Sequence, residues 1–377
     1  MIVVIADDIT GAAEMGGIAL RYGLSVVVSD DVSTSNNADI LVIYTNARSM
    51  KKEEAVEVMV GLTEKAMQLQ PSLFYKKTDS VLRGYILPEM KAQMKVMNVD
   101  KGLLVPANPS LGRVIRNGKY YVNNELIHET GFYNDPEFPI KTSDVAEMLG
   151  CENVAVKVLS KNESLIKTGI SIGEAATAED ISEWAGQNHK SVLLAGGASF
   201  FNELLAKNHQ LKYTGEKLVQ LYSPLVLISG TTYQKNVEQI KTYSNFVSYM
   251  PESIFSNNNP KPHDFERWLD GIMTILSMYN KVIIAVNNTG ENLNPRLVRE
   301  KKAEIVKLIF KKIGIKELLV EGGSTAYSII NGLGWHSFIP IAELQQGIVR
   351  MMVGDANDLY LTIKPGSYDW PVEWKFN

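Results

Sequence analysis

The chain has 377 residues, 45% of them hydrophobic and 21% charged, which is ordinary globular composition and long enough for two domains. With 38 Lys+Arg against 42 Asp+Glu the formal net charge is -4, so nothing argues for a nucleic-acid partner, although a local basic pocket stays open. The single cysteine, Cys151, excludes an internal disulfide and a cysteine-rich metal site and suits a reducing, cytoplasmic setting.

The chain opens MIVVIADDIT, a short apolar run and then two acids, which predicts a buried first strand over Ile2–Ala6 rather than a signal peptide. A helical pattern follows over Ala12–Tyr22, with Gly23 as its C-cap. Strands are predicted at Val26–Val28, Ile40–Tyr44, Leu73–Lys76 and Gly102–Val105, and helices at Lys52–Leu69 and Leu87–Met97. This alternation predicts an α/β fold, a mostly parallel sheet flanked by helices on both faces. Pro106–Pro139 breaks it: the stretch is rich in Gly, Pro and Asn, and predicts loops and a hairpin over the sheet edge, of the kind that bind ligands. Val154–Leu159, Asp180–Ala185 and Val192–Ala195 restore the alternation, and Phe200–Leu205 starts a closing helix.

A polar stretch, Lys207–Gln220, places a boundary near residue 215, giving domains 1–215 and 216–377. The second domain reads as another α/β unit. Its strands are expected at Leu225–Ser229, Lys281–Asn287, Glu317–Val320 and Leu359–Lys364. Its helices are expected at Asn236–Tyr243, Arg296–Lys312 and Ser324–Leu333, with Ser253–Pro262 as a surface loop. No segment is long and apolar enough to span a bilayer, so no membrane partner is expected.

In an open α/β sheet, ligands bind beyond the carboxyl ends of the strands. Polar clusters fall at four such ends. After the first strand stands Asp7-Asp8-Ile9-Thr10-Gly11, where one acid can cap the helix and leave the other to face a ligand, or both can be capping or solvent-facing. After the third stands Thr45-Asn46-Ala47-Arg48-Ser49. After the fourth comes Lys76-Lys77-Thr78-Asp79-Ser80-Val81-Leu82-Arg83-Gly84, either a substrate loop or a salt-bridged loop without a ligand. Pro106-Ala107-Asn108-Pro109-Ser110-Leu111-Gly112-Arg113 follows another strand, as a pocket wall or as a rigid turn with an exposed arginine. Acids, amides and guanidinium forks at successive strand ends suit a small, hydroxyl-rich carboxylate.

The second domain carries glycine turns at its strand ends: Ser229-Gly230-Thr231-Thr232, Glu321-Gly322-Gly323-Ser324-Thr325-Ala326 and Lys364-Pro365-Gly366-Ser367. Such turns bring N–H groups close to phosphate, and Ser324 or Thr325 can cap the helix or bind phosphate oxygen; the plain alternative is tight turns and caps alone. The chain has no Walker A sequence, no GxGxxG after a strand, no protein-kinase set, no HExxH and no GxSxG, and its five histidines are dispersed.

These clusters resemble the four-carbon acid sugar kinase family essentially end to end. The family's motifs stand here as Ala6-Asp7-Asp8-Ile9-Thr10-Gly11-Ala12, as Lys77-Thr78-Asp79-Ser80-Val81-Leu82-Arg83-Gly84 followed by Glu89, and as Pro106-Ala107, Gly112-Arg113 and Asn117-Gly118. Further on, Thr130 and Asp135-Pro136 match as well. The resemblance implies an amino-terminal sugar-acid domain, a carboxyl-terminal ATP domain, and phosphorylation of D-threonate, D-erythronate or a 3-oxo-tetronate to the 4-phosphate. It places Asp7, Asp8, Thr10, Arg48, Lys77, Asp79, Ser80, Arg83, Gly84, Asn108 and Arg113 at the acid, and Ser229, Gly230, Thr231, Gly322, Gly323, Ser324, Thr325 and Gly366 at the nucleotide. The chain departs from the family pattern at Tyr44-Thr45-Asn46-Ala47-Arg48-Ser49, at Glu174-Ala175, at Gly196-Gly197-Ala198-Ser199 and at Pro365-Gly366-Ser367-Tyr368, and its second domain is shorter.

The mechanism expected of such a kinase is positioning and charge neutralisation. Arg48, Arg83 and Arg113 hold the carboxylate, Asp79 or Asp8 takes the hydroxyl proton, with Asp79 favoured because Lys77 and Arg83 keep it ionised, and Mg²⁺ rides on the ATP phosphates rather than on protein ligands. The domains are expected to close over the ligands; the oligomeric state stays open, a homodimer being the common form of soluble enzymes in general. The rivals are a different sugar-acid enzyme, such as a lyase, and a non-catalytic protein that binds the acid or the nucleotide.

Overall fold

The computed structural model describes the chain apart from residues 35–36, 136–137, 152–154, 214–218, 231–237, 239, 257–260, 288–293, 355–357, 367 and 371–377. The chain divides into two compact units, Met1–Thr214 and Gly215–Asn377. Each is α/β with a mostly parallel sheet flanked by helices.

The main sheet of the first unit is built from β1 (Ile2–Ala6), β2 (Val26–Ser29), β3 (Ile40–Tyr44), β4 (Leu73–Lys77), β5 (Lys101–Val105), β9 (Val156–Leu159), β10 (Gly169–Gly173) and β11 (Val192–Gly196). Between β5 and β9 the chain forms β6 (Arg113–Arg116), β7 (Lys119–Val122) and β8 (Glu125–Leu126), a separate antiparallel sheet. The main order is β2-β3-β1-β4-β11-β5-β10-β9, and every pairing in it is parallel. Parallel strands covered on both faces need apolar residues without alternation, and ILVIY in β3 is buried throughout.

The helices of this unit are α1 (Ile9–Arg21), α2 (Lys52–Met67), α3 (Ile86–Met97), α4 (Val145–Met148), α5 (Ala178–Gly186) and α6 (Ala198–Ala206). Helix α2 packs with α3, and α1 with α6. One face of the sheet sends Ile5, Leu41 and Leu104 into a core with Met59 of α2 and Met90 of α3. Each such buried side chain contributes about 1.5–3 kcal/mol. The two consecutive lysines of β4 turn to opposite sides. Lys76 is buried in an ion pair with Glu89 of α3, while Lys77 Nζ lies 3.7 Å from Glu14 of α1.

Strand ends share one level. Ala6 pairs with both Tyr44 and Lys77, and Gly196 with both Lys77 and Val105. The loops after β3, β1, β4, β11 and β5 therefore leave the sheet side by side.

The antiparallel sheet does not lie along the edge of the main one, as the sequence suggested. The Ile115 N–H donates to Ala175 O, just past β10, and the Tyr120 hydroxyl donates to Ser80 O, just past β4. It stands over the carboxyl ends of the strands, because its apolar residues Ile115 and Tyr120 join the main core from above. Strand β10 is an addition to the expected set.

In the second unit the strands are β12 (Leu225–Ile228), β13 (Val247–Tyr249), β14 (Lys281–Ala285), β15 (Glu317–Glu321), β16 (Ser337–Gln345), β17 (Ile348–Val353) and β18 (Tyr360–Lys364). The order is β13-β14-β12-β15-β18-β17-β16. It is parallel as far as β18, and then β17 and β16 run antiparallel. The helices are α7 (Glu252–Phe255), α8 (Pro262–Tyr279), α9 (Pro295–Lys312) and α10 (Gly323–Leu333).

The surface loop expected at Ser253–Pro262 holds most of α7, which buries Ile254. Helix α8 and the β16–β17 pair were not expected. Of the helix expected at Asn236–Tyr243, residues 236, 237 and 239 lie outside the described residues, while Glu238, Ile240 and Lys241 are helical; the boundary near 215 lies outside the described residues.

Candidate active site

Extended backbone at Asp8 (φ -151°, ψ 164°) lets its side chain turn back and accept from the Gly11 N–H at 2.8 Å, which starts α1. Of the adjacent acids, Asp8 is thus the cap. Its other oxygen accepts from Thr10 Oγ1 and pairs with Arg48. Asp7 lies beneath, 4% exposed, with Oδ2 at 3.4 Å from Arg48 Nε. Arg48 comes from the short turn after β3 and also reaches Asp79 Oδ1 with Nη1 at 3.3 Å. One guanidinium thus meets three carboxylates from two different strand ends.

Asp79 is also held by Arg83, with Nε at 2.8 Å from Oδ2 and Nη2 at 2.9 Å from Oδ1. Arg83 continues to Asp135 at 2.8 Å and lies over the Phe132 ring, 5.8 Å from its centroid. Arg113 shares that ring at 6.0 Å and donates to Ser80 Oγ. Asn108 is tied to Arg113 through backbone bonds in both directions, and its Oδ1 accepts from Ser110 and from Ser199 after β11. Gly84 lies against the Arg48 stem, where a Cβ would stand 3.0 Å from Cγ. Lys77 turns toward α1 and donates to Thr78 O at 3.0 Å.

The acid residues expected from sequence therefore form one connected group. Glu14, Asp135, Phe132 and Ser199 join it without having been singled out as site residues. Asp135 stood in a quoted motif, but a Phe shared by two arginines leaves no local pattern.

The three acids differ in proton affinity. Burial and the neighbouring Asp8 and Asp79 push Asp7 up to about 6, against the pull of Arg48 and Lys77. Burial also works on Asp8, but Arg48, Lys77, Thr10 and the Gly11 N–H outweigh it and hold its carboxyl below the usual range. Asp79 is driven further down: burial is overcome by Arg83, through charge and hydrogen bonds, and then by Arg48 and Arg113.

In the second unit the turns after β12, β15 and β18 lie at neighbouring strand ends. Ser229 Oγ donates to Glu321 at 2.8 Å, and the Gly322 N–H donates to Lys364 O at 2.8 Å. Gly230 packs so closely that a Cβ would stand 2.0 Å from Glu321 O and 2.5 Å from Thr325 Oγ1.

Helix α10 begins at Gly323, with Gly322 (φ 90°) as its N-cap and no side chain capping it. Ser324 and Thr325 are inside the first turn, so neither caps the helix, and of the two roles the sequence offered them capping is removed. The helix starts one residue earlier because Gly322 accepts the positive φ at the strand end. Gly366 follows β18, and no described residue lies within 4 Å of where its Cβ would stand. Thr231 and Ser367 lie outside the described residues.

Beneath the turns, buried Lys302 of α9 donates to Ser229 O, and burial lowers its pKa to about 8 against the pull of Glu321. Among the described residues, no group of three or more His, Cys, Asp or Glu is placed to hold a metal ion, and no helix is long and apolar enough to cross a membrane.

A family model described as a sugar-binding N-terminal domain matches residues 2–204, over half of the chain. The chain belongs to the four-carbon acid sugar kinase family. A 3-oxo-tetronate kinase of Actinobacillus succinogenes is 23% identical over 98% of this chain and 96% of its own length. A D-threonate kinase of Salmonella typhimurium is 34% identical, over 40% of this chain and 36% of its own. The crystal structure of a Haemophilus influenzae protein covers 97% of each chain with a TM-score of 0.74 at 20% identity, a likeness of fold. Arg48 ties the acid-pair segment to Asp79 of the Lys-Thr-Asp-Ser segment.

Proposed function

We propose that this chain is an ATP-dependent kinase that phosphorylates the terminal hydroxyl of a four-carbon sugar acid, D-threonate, D-erythronate or a 3-oxo-tetronate, to the 4-phosphate. The observation that carries the reading is the convergence of Arg48, Arg83 and Arg113 with Asp7, Asp8 and Asp79 at neighbouring strand ends. Guanidinium forks suit a carboxylate, and buried carboxylates suit hydroxyl donors. A ligand rich in both is a sugar acid. The names of the relatives support the same substrate class.

ATP supplies the phosphoryl group, with Mg²⁺ on its phosphates. Ser229, Gly230, Gly322, Gly323, Ser324, Thr325 and Gly366 are the residues that would border it. The start of α10 supports this, since Gly322 offers its first N–H groups no side-chain cap and the helix dipole favours an anion.

The test is ADP release with Mg-ATP against both enantiomers of threonate and erythronate and their 3-oxo forms. Acid-dependent ADP release on at least one is expected. ADP release independent of every acid, or none at all, overturns the reading.

A further inference from the structure

We propose that Asp7 is the proton acceptor for the attacking hydroxyl. The inference rests on the kinase reading above and names the group that completes it.

Three carboxylates meet Arg48, and two of them have a donor on each oxygen. Asp79 takes donors on both: Oδ1 from Arg83 Nη2 and Arg48 Nη1, and Oδ2 from Arg83 Nε and the Arg83 N–H. Asp8 does too, from the Gly11 N–H on Oδ1 and from Thr10 Oγ1 and Arg48 on Oδ2. Asp7 differs. Its Oδ2 faces Arg48 Nε, while its Oδ1 is buried with no hydrogen-bond donor among the described residues. An unpaired buried acceptor in a polar cluster marks a place where a ligand or water belongs. A hydroxyl that donates to Oδ1, directly or through one water, satisfies it.

Proton affinity runs the same way. A base works best when its pKa lies near the working pH, and Asp7 is the acid of the three that burial pushes up, to about 6. Asp8 and Asp79 are both pulled below the ordinary range. The charged groups around Asp7 are Asp8 on its own segment, Arg48 after β3, and Lys77 and Asp79 at the end of β4. Arg83 and Arg113 act on Asp79 rather than on Asp7.

In the step, the hydroxyl O–H bond breaks and its proton passes to the Asp7 carboxylate. The hydroxyl oxygen bonds to the γ-phosphorus of ATP. The bond from that phosphorus to the bridging oxygen breaks, and its electron pair leaves on ADP. Asp7 then returns the proton to water.

The experiment is the pH dependence of kcat from pH 5 to 8.5, in the wild type and in Asp7→Asn and Asp79→Asn, on an acid that the wild type turns over. The wild type is expected to show an acidic limb centred near pH 6. Asp7→Asn should lose about 10²–10⁴ in kcat and lose the limb, with the KM for the acid changed less than about fivefold. Asp79→Asn should mainly raise that KM and keep the limb. Asp7→Asn that keeps kcat within tenfold, or a limb that survives in it, overturns the proposal while the kinase reading stands. If Asp7→Asn does not fold, a flat wild-type profile overturns the proposal by itself. A wild type silent on every acid overturns both.

Discussion

Arg83 grips Asp79 on both oxygens and passes on to Asp135, so one guanidinium joins the loop after β4 to the segment that follows the antiparallel sheet. Removing Asp79 breaks that link. Arg83 is 27% exposed, so water offsets part of the loss. Asp79→Ala is expected to lower stability by about 2–3 kcal/mol, below the range for a fully buried pair. Urea unfolding measures this, and an unchanged midpoint contradicts it. The KM for the sugar acid should rise more than about tenfold, because the arginines lose the carboxylate that orients them.

Arg48 meets Asp7, Asp8 and Asp79 with different nitrogens. A lysine keeps the charge but cannot present three donors in a fixed plane. Arg48→Lys should therefore weaken sugar-acid binding about 10- to 100-fold by calorimetric titration. Binding within twofold of wild type would show that charge alone suffices.

The proton affinity of Asp7 makes a stability prediction that needs no substrate. Its folded pKa, about 6, is above the ordinary value of 3.8. The folded state therefore holds the proton more tightly than the unfolded chain. The stabilisation this gives is complete below about pH 4 and is lost as pH rises through about 6. Asp7→Asn has no such loss. Its stability relative to wild type should rise between pH 4 and 7, by about 2–3 kcal/mol in all. Urea midpoints at pH 4.5 and 8 test it; a constant difference refutes it. Asp79 works the other way, losing its contribution as pH falls below 3.8.

Two glycines of the second unit should respond differently. At Gly230 a methyl group would meet the Glu321 carbonyl at 2.0 Å, and a backbone atom cannot step aside. Gly230→Ala should cost about 2–3 kcal/mol. At Gly366 nothing among the described residues lies within 4 Å of the added atom. Gly366→Ala should fold like wild type, within about 0.5 kcal/mol, and any effect should fall on the KM for ATP. Thermal unfolding of the two variants side by side distinguishes these outcomes.

The sequence showed the strand-end clusters because each lies in one short segment just after an apolar run. It could not say which of two adjacent acids caps α1, since that depends on the backbone angles at Asp8. It pointed to Arg83 as the partner of Asp79, four residues away, but not to the turn of Lys77 toward Glu14, which depends on how α1 crosses β4. The antiparallel sheet was visible as a hairpin; its position above β4 and β10 rests on contacts of Ile115 and Tyr120 with distant segments. Helix α8 left a readable signal, with Pro262 at its first position and Phe265, Trp268, Leu269, Ile272 and Leu276 on its buried face. The β16–β17 pair was harder: β17 is buried almost throughout, and in β16 the outward positions Ile339 and Ile341 are apolar like the buried ones, so neither shows the alternation of a half-buried strand.

Lys76 and Lys77 act as an index mark on β4. If the strand slid by one residue so that Lys76 took the place of Lys77, Lys76 would point toward Glu14, and Tyr75 would stand where Glu89 needs a cation. Glu89 would then be buried with its charge uncompensated, an error far costlier than a misplaced aliphatic side chain. The same slide would move Asp79 out of register with Arg48. A slide in that direction is thus made expensive before it can become a fault in the chemistry.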